Sequence, residues 1–520
     1  MAKMSTVVET VEGPVDGKRG VRSRKGTTAW LGIPFAAPPV GDLRFRAPQP
    51  VEPWPTKIRT CHEYGPTPVQ EKLLTARTDG RFHPRSEDCL TLNVFAPDTV
   101  SSTPRPVMFF IYGGGYMLGG TPTPIYDGSF LARARDVIVV TVNYRFGPFG
   151  FIDLTQFSTP DRQFDSNLGI RDVVAGLEWV QRNIAAFGGD PDRVTVFGES
   201  AGGAAVLTLL SLPSARGLFS QAIAESPAPD LVVQKETATI VGDEFVRQLV
   251  DPERRAGAER TEEPLDPAEV ARIIDGADAA TLHRAGKRLL GFAKHAELSE
   301  PLPFAPVVDG DYLPKMPVQA ALDGDTHPVP LIIGSNRDEG ELFKRFWDIL
   351  PESGRFLVGV HDPEIRDEID QLYPGTGENI RLSADAVFWV PTTIFAQEHA
   401  KRAPTWMYRY DYAPRALKLA GIGATHATEL FAVFGTYRQV LGVGLAATGS
   451  WSETKRVTTE VQGYWSRFAR TGNPGFDWPQ YDTDDRRVLV IDDPSYVVSD
   501  PDGSRRAAWE KVHLAQLAVG

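Results

Sequence analysis

Two hydrophobic patterns alternate along the chain. The first is a short, nearly unbroken apolar run, as in Val107-Met-Phe-Phe-Ile-Tyr112 and Val137-Ile-Val-Val-Thr-Val142. A strand with one wet face alternates apolar and polar residues. These runs do not, so they predict strands covered on both faces. Shorter runs at Val194–Phe197, Ala222–Ala224, Pro330–Gly334, Trp406–Tyr410 and Val488–Ile491 predict further strands, and Leu90–Phe95 alternates as a half-covered strand does. The second pattern has helical spacing. Between Gly169 and Phe187 the apolar residues Val173, Val174, Leu177, Val180, Ile184 and Phe187 share one face, and Gly188-Gly-Asp-Pro191 ends the segment. Ala204–Leu210, Pro267–Leu290 (opened by Asp266 before a proline) and Ala396–Ala403 also read as helices.

Strands alternating with helices predict an α/β fold with a mainly parallel sheet. The prolines of Trp30–Pro39 exclude a helix there and predict an extended segment running over a core. Residues 62–86 read as a polar surface loop, and 251–265 as a charged one. Residues 232–400 read as helical excursions over the sheet, so that 1–520 form a single domain.

The strand Val194–Phe197 runs directly into Gly198-Glu199-Ser200-Ala201-Gly202 and then into the Ala204–Leu210 helix. Strand, G-x-S-x-G turn and helix together make the setting in which a serine is lifted clear of a sheet as a nucleophile. The same five residues also describe an ordinary turn, so the rest of the chain has to decide.

Composition narrows the choice. The 520 residues are 42% hydrophobic and 23% charged, as in globular enzymes, and a net charge of −12 argues against a nucleic-acid binder. No apolar run reaches the roughly 18 residues that span a bilayer. The N-terminus shows no signal-peptide core, there are two cysteines, and no N-glycosylation sequon occurs. These features predict a cytoplasmic protein of bacterial style, a monomer or weak homo-oligomer.

A serine hydroxyl needs a base, an orienting acid and backbone donors for the oxyanion. Gly113-Gly-Gly115 directly follows a predicted core strand, where glycines can turn N–H groups toward a substrate carbonyl. The donors expected are the N–H groups of Gly114, Gly115 and Ala201. The acid lies in Gly334-Ser-Asn-Arg-Asp-Glu-Gly340, where Asp338 and Glu339 are rivals that composition does not separate. The base expected is His426, in Gly423-Ala-Thr-His426, a loop after the Trp406–Tyr410 strand. Serine, acid and histidine then follow the order seen in α/β hydrolases.

With these residues in view, the chain resembles the type-B carboxylesterases over nearly its whole length. The resemblance rests on Gly32-Ile-Pro-Phe-Ala36, Pro38-Pro-Val-Gly41, Ser86-Glu-Asp-Cys-Leu-Thr-Leu-Asn93, Asn143-Tyr-Arg145, Phe187-Gly-Gly-Asp-Pro191, Gly198–Gly203, Asp338-Glu-Gly340, His426 with Glu429, and Gly472-Asn-Pro474. It implies an α/β-hydrolase fold and hydrolysis of small carboxylic esters through an acyl-enzyme on Ser200. It implies no metal or organic cofactor. It makes Glu339 the acid, assigns Ser226 and Glu199 supporting roles beside the triad, and pairs Arg44 with Glu87.

The chain also departs from relatives of this kind. The position that would bridge Cys89 is Pro68, so Cys89 is expected to be a buried free thiol, and residues 69–88 lack the tryptophan of choline-ester enzymes. Phe343, Phe346 and Trp347, with Phe388 and Trp389, either line the acyl or alcohol pocket or pack in the core. Tyr116 and Met117 are expected at the wall of the site. Two other readings share the motifs: carbamate or amide hydrolysis by the same triad, and a non-catalytic binding protein on the same scaffold. The second is disfavoured because every catalytic element is present.

Overall fold

The run at Val107–Tyr112 lies in the first of two units into which the chain divides in the computed structural model, residues 1–221 with 231–316, and 222–230 with 317–520. The structure describes residues 2–21, 24–72, 77–78, 81–251, 253, 264–295, 302–346, 357, 360–375, 378–438, 440–446 and 449–517.

In the first unit the strands run in the order Gly189–Glu199, Arg105–Ile111, Ile138–Val142, Thr91–Pro97, Thr27–Pro34 and Lys18–Arg19. The first three are parallel and the rest antiparallel. Every residue of Arg105–Ile111 and Ile138–Val142 is buried, as their unbroken apolar runs require. The expected helix is Leu168–Asn183, continued by a 3-10 turn to Phe187 and closed by Gly188 in the left-handed region. The buried Arg145 grips Asp172 of that helix with two guanidinium bonds of 2.7 and 2.8 Å and its own N–H at 2.9 Å. Removing either partner would leave a buried charge unpaired, a loss of about 3–5 kcal/mol.

In the second unit Gln221–Glu225, Leu331–Asn336, Thr405–Tyr410 and Arg487–Ile491 are parallel, and Tyr496–Ser499 closes the edge antiparallel. The amphipathic helix Trp451–Thr471 sets Trp465 and Phe468 edge-on against Tyr408 and Trp406, with ring centroids 5.5 and 5.7 Å apart. The Trp465 indole N–H donates to Glu225 at 2.6 Å.

Several sequence expectations need correction. Pro267–Leu290 is two helices, Pro267–Gly276 and Ala279–His295. The break follows Gly276, where Asp278 accepts the Thr281 N–H at 2.7 Å and starts the second helix as its cap. The helix placed at Ala396–Ala403 is Val390–Ala400, because Pro391 suits a first turn and Pro404 disfavours helical conformation before it. Trp30–Pro39 begins as part of the strand Thr27–Pro34. The loop at 62–86 is not wholly superficial, since Thr67 and Gln70 are buried. Most of 251–265, and Trp347, fall outside the described residues.

Candidate active site

The first unit builds the serine turn. Ser200 follows the Gly189–Glu199 strand, precedes the fully buried helix Ala201–Ser211, and is held at φ 60°, ψ −125°. This strained backbone is sustained by contact below the turn. A Cβ on Gly202 would come within 2.0 Å of the Ile111 carbonyl oxygen, so only glycine lets the helix start this close to the neighbouring strand. The result is a half-exposed Ser200 at the positive end of an 11-residue helix.

The glycine loop packs against that turn. A Cβ on Gly113 would lie 2.8 Å from Ser200 Cβ and 2.9 Å from a carboxyl oxygen of the buried Glu199. Gly114 has φ 122°, and its carbonyl accepts the N–H groups of Met117 at 3.0 Å and Leu118 at 3.2 Å. Among the described residues, no acceptor takes the N–H of Gly114, Gly115 or Ala201. The far end of the loop is fastened from the 62–86 segment, which read from sequence only as a polar surface loop. The buried Gln70 side chain donates to Gly119 O at 2.6 Å and accepts the Gly119 N–H at 3.0 Å, as a neighbouring strand would. Asn143 accepts the Thr121 N–H at 3.0 Å.

Two neighbours of the loop separate. Met117 is half-exposed beside Gly115, whose Cβ would lie 3.4 Å from the methionine methyl. Tyr116 is not at the surface: it is fully buried, with its ring 4.5 Å from that of Phe151 and its carbonyl accepting the Gly147 N–H at 2.6 Å. Its φ of 56° turns the side chain inward while the glycines before it stay accessible.

The second unit joins the acid and the histidine. His426 Nδ1 lies 2.5 Å from Glu339 Oε2, and both residues are buried. With Nδ1 carrying the proton toward the carboxylate, the neutral ring has its basic lone pair on Nε2. The other Glu339 oxygen accepts the Asn336 N–H at 2.7 Å, so both carboxylate oxygens are committed. Asp338 takes no part in this pair. Its carboxyl accepts the Ala424 N–H at 2.9 Å, and burial raises it above the usual carboxylate range.

A second carboxyl lies behind the first. Glu429 is buried, accepts from the Asn336 side-chain amide, and accepts from Ser226 Oγ at 3.2 Å. Burial first, and the charge of Glu339 second, push its pKa up to about 7. A protonated Glu429 avoids two adjacent anions in a dry site. Ser226 therefore reaches the acid and histidine through Glu429 and Asn336, not by touching them. Asn336, whose role the sequence left unread, is the bridge. An asparagine at the end of a core strand, three residues before the acid, is the one signal that pointed to it.

The aromatic candidates divide. Phe343 and Phe388 stack on each other with centroids 5.7 Å apart and lie 4.9 and 4.7 Å from the imidazole of His426. Trp389 turns elsewhere. It packs against the cluster of Ile369, Tyr373, Leu382 and Trp509, with the Arg505 guanidinium 5.4 Å from its ring. The two are consecutive in a π-helical turn, Asp385–Trp389, so their side chains diverge around it. The side chain of Phe346, like Trp347, is outside the described residues. Arg44 and Glu87 form the expected pair through two bonds of 2.7 and 2.8 Å, and Cys61 and Cys89 are buried and unbridged.

Comparison with known proteins agrees with this chemistry. The carboxylesterase family profile matches residues 4–372 and 375–509. A para-nitrobenzyl esterase of Bacillus subtilis (strain 168) is 37% identical, with 96% of this chain and 97% of that protein covered. Carboxylesterase 1E of Mus musculus is 34% identical, covering 92% of this chain and 88% of the relative. The solved structure of a PNB esterase superposes with a TM-score of 0.84 at 36% identity, over 97% of this chain and 99% of that one.

Proposed function

The chain belongs to the carboxylesterase family, has the α/β-hydrolase fold and hydrolyses carboxylic esters, and we propose that it does so through an acyl-enzyme on Ser200 with His426 as base and Glu339 as orienting acid. Ser200 Oγ attacks the ester carbonyl while His426 Nε2 takes its proton. The N–H groups of Gly114, Gly115 and Ala201 hold the oxyanion of the tetrahedral intermediate. That intermediate collapses, the C–O bond to the alcohol breaks, and the imidazolium returns the proton to the departing oxygen. Water then attacks the acyl-serine by the same route and releases the acid. Glu339 keeps the ring oriented and stabilises the imidazolium at each step. Ser226, Asn336 and Glu429 hold that carboxylate in place, and Glu199 shapes the wall behind Ser200.

The observation carrying this reading is the backbone of Ser200, strained at φ 60° between a core strand and a helix N-terminus. The substrates proposed are uncharged esters of aromatic or short alcohols. Phe343 and Phe388 beside His426 supply an apolar, aromatic surface, and the Bacillus relative is named for a para-nitrobenzyl ester. Two buried free cysteines support placing the enzyme in the cytoplasm, a reducing compartment. In the test, Ser200→Ala is assayed against p-nitrophenyl butyrate and probed with a fluorophosphonate. Activity should fall by at least about 10³-fold and labelling of residue 200 should vanish, with thermal stability kept. A rate within about tenfold of wild type would sink the assignment.

A further inference from the structure

We propose that Asp338, the carboxylate beside the acid, is a positioning residue that fixes the main chain of the histidine loop and so aims the ring of His426. This rests on the triad reading above and adds to it a requirement that the reading alone does not make.

Two loops must meet for Glu339 to hold His426, and neither belongs to a strand or helix at the point of contact. Among the hydrogen bonds that stitch them are several that involve no catalytic side chain. The Asp338 N–H donates to Ala424 O at 3.0 Å, and the Ala424 N–H donates back to Asp338 Oδ2 at 2.9 Å. The Asn336 amide donates to Thr425 O at 2.9 Å. Thr425 Oγ1 accepts the Leu342 N–H at 2.8 Å, capping the first turn of the helix Gly340–Phe346 from outside. Asp338 alone makes a reciprocal pair, and it makes it two residues before His426.

The fit is close. Gly423 sits at φ 66°, and a Cβ there would come 2.1 Å from Asp338 Oδ2. The loop therefore passes over the carboxylate as near as a backbone can. Ala424 is buried, so without Asp338 its N–H has no water to turn to. Burial raises the Asp338 carboxyl and Asp411 adds to that, while the Ala424 N–H, Arg337 and Arg381 lower it, so the acceptor is set among mixed charges. What Ala424 requires is an oxygen at this point rather than a negative charge.

That distinction supplies the test. Asp338→Asn keeps an acceptor oxygen; Asp338→Ala removes it. Steady-state kinetics on p-nitrophenyl butyrate, with sites counted by stoichiometric phosphorylation with diethyl p-nitrophenyl phosphate, report kcat per competent serine independently of folded yield. Asp338→Ala should lower kcat by about tenfold or more with KM changed less than about twofold, and Asp338→Asn should restore kcat to within about threefold of wild type. Gly423→Ala, which forces the carboxylate away from Ala424, should resemble Asp338→Ala. Either Asp338→Ala at wild-type kcat, or Asp338→Asn as slow as Asp338→Ala, overturns the proposal. Glu339→Gln run in parallel separates the two readings: it should be inactive whatever Asp338 does. An active Glu339→Gln beside an inactive Asp338→Asn would instead overturn the choice of acid.

Discussion

Replacing Gln70 by alanine tests whether a residue outside the catalytic set governs the oxyanion donors. Its buried amide closes a two-bond ring with Gly119, 2.6 Å from Nε2 to the carbonyl and 3.0 Å from the Gly119 N–H to Oε1. Alanine loses these two neutral hydrogen bonds and a third, from Nε2 to Pro68 O at 3.2 Å, which should lower stability by about 2–4 kcal/mol. The kinetic effect follows from geometry. Full loss of an oxyanion donor costs about 10²–10³-fold in rate. The loop keeps its second anchor, the Asn143–Thr121 bond of 3.0 Å, and its internal bonds to Gly114 O. Displacement should thus be partial, and the expected loss in kcat is about tenfold.

The assay is p-nitrophenyl butyrate hydrolysis, paired with inhibition by an aryl trifluoromethyl ketone, which adds the serine and places an oxyanion in the hole. Affinity for the ketone should fall in parallel with kcat/KM, while KM moves less than about threefold. Gln70→Asn, one methylene too short to reach both groups, should behave like alanine. Gln70→Glu should be worse, since it gives up the donor to Gly119 O and buries a charge. A variant that melts earlier yet binds the ketone as wild type does would refute the argument, because the loop would then hold its shape without Gln70.

Two further predictions follow from the second unit. Glu429 has a folded-state pKa of about 7, above its ordinary value of 4.5, so the folded protein favours the protonated form. That preference opposes stability increasingly as pH rises from about 4.5 to about 7, and fully above it. Glu429→Gln mimics the protonated state, so its melting temperature relative to wild type should climb across that window, and a pH-independent difference would count against the shift. Phe388→Ala removes a buried ring 4.7 Å from the imidazole. It should reduce stability by about 3–5 kcal/mol and lower kcat/KM for phenyl esters more than for ethyl esters. Equal losses on both would remove the ring from the substrate surface.

What could be read from sequence depended on whether one residue's surroundings are local. Val107–Tyr112 and Val137–Val142 announce themselves, because a strand covered on both faces must be apolar throughout. The serine turn was legible for a similar reason: its glycines are demanded by contacts within a few residues and one neighbouring strand. The helix Trp451–Thr471 escaped notice because Thr, Glu and Arg dilute the apolar stripe that Trp465 and Phe468 present to the sheet. Phe388 and Trp389 show a different limit. Adjacent aromatic residues look equivalent until the turn that carries them is known, and a π-helical turn sends one to the histidine and the other to Arg505. Gln70 was hidden in a polar stretch that composition assigns to the surface, yet its side chain is buried against the Gly119 backbone it bonds.

These residues share a chemistry that explains both their importance and their obscurity. Gln70, Asn143, Asn336, Asp338 and Thr425 all spend side-chain polar atoms on main-chain groups of the loops that carry the proposed oxyanion donors, acid and base. Each such bond contributes only about 1 kcal/mol to folding. Yet a catalytic group displaced by about 1 Å can lose about 10²-fold in rate, equivalent to nearly 3 kcal/mol in the transition state. The same hydrogen bond therefore serves the reaction as well as the fold. Substitutions at these five positions should register in turnover as well as in stability, at free energies of similar size. The effect on turnover should be clearest for Asp338, because the N–H it accepts belongs to Ala424, two residues before the ring it aims.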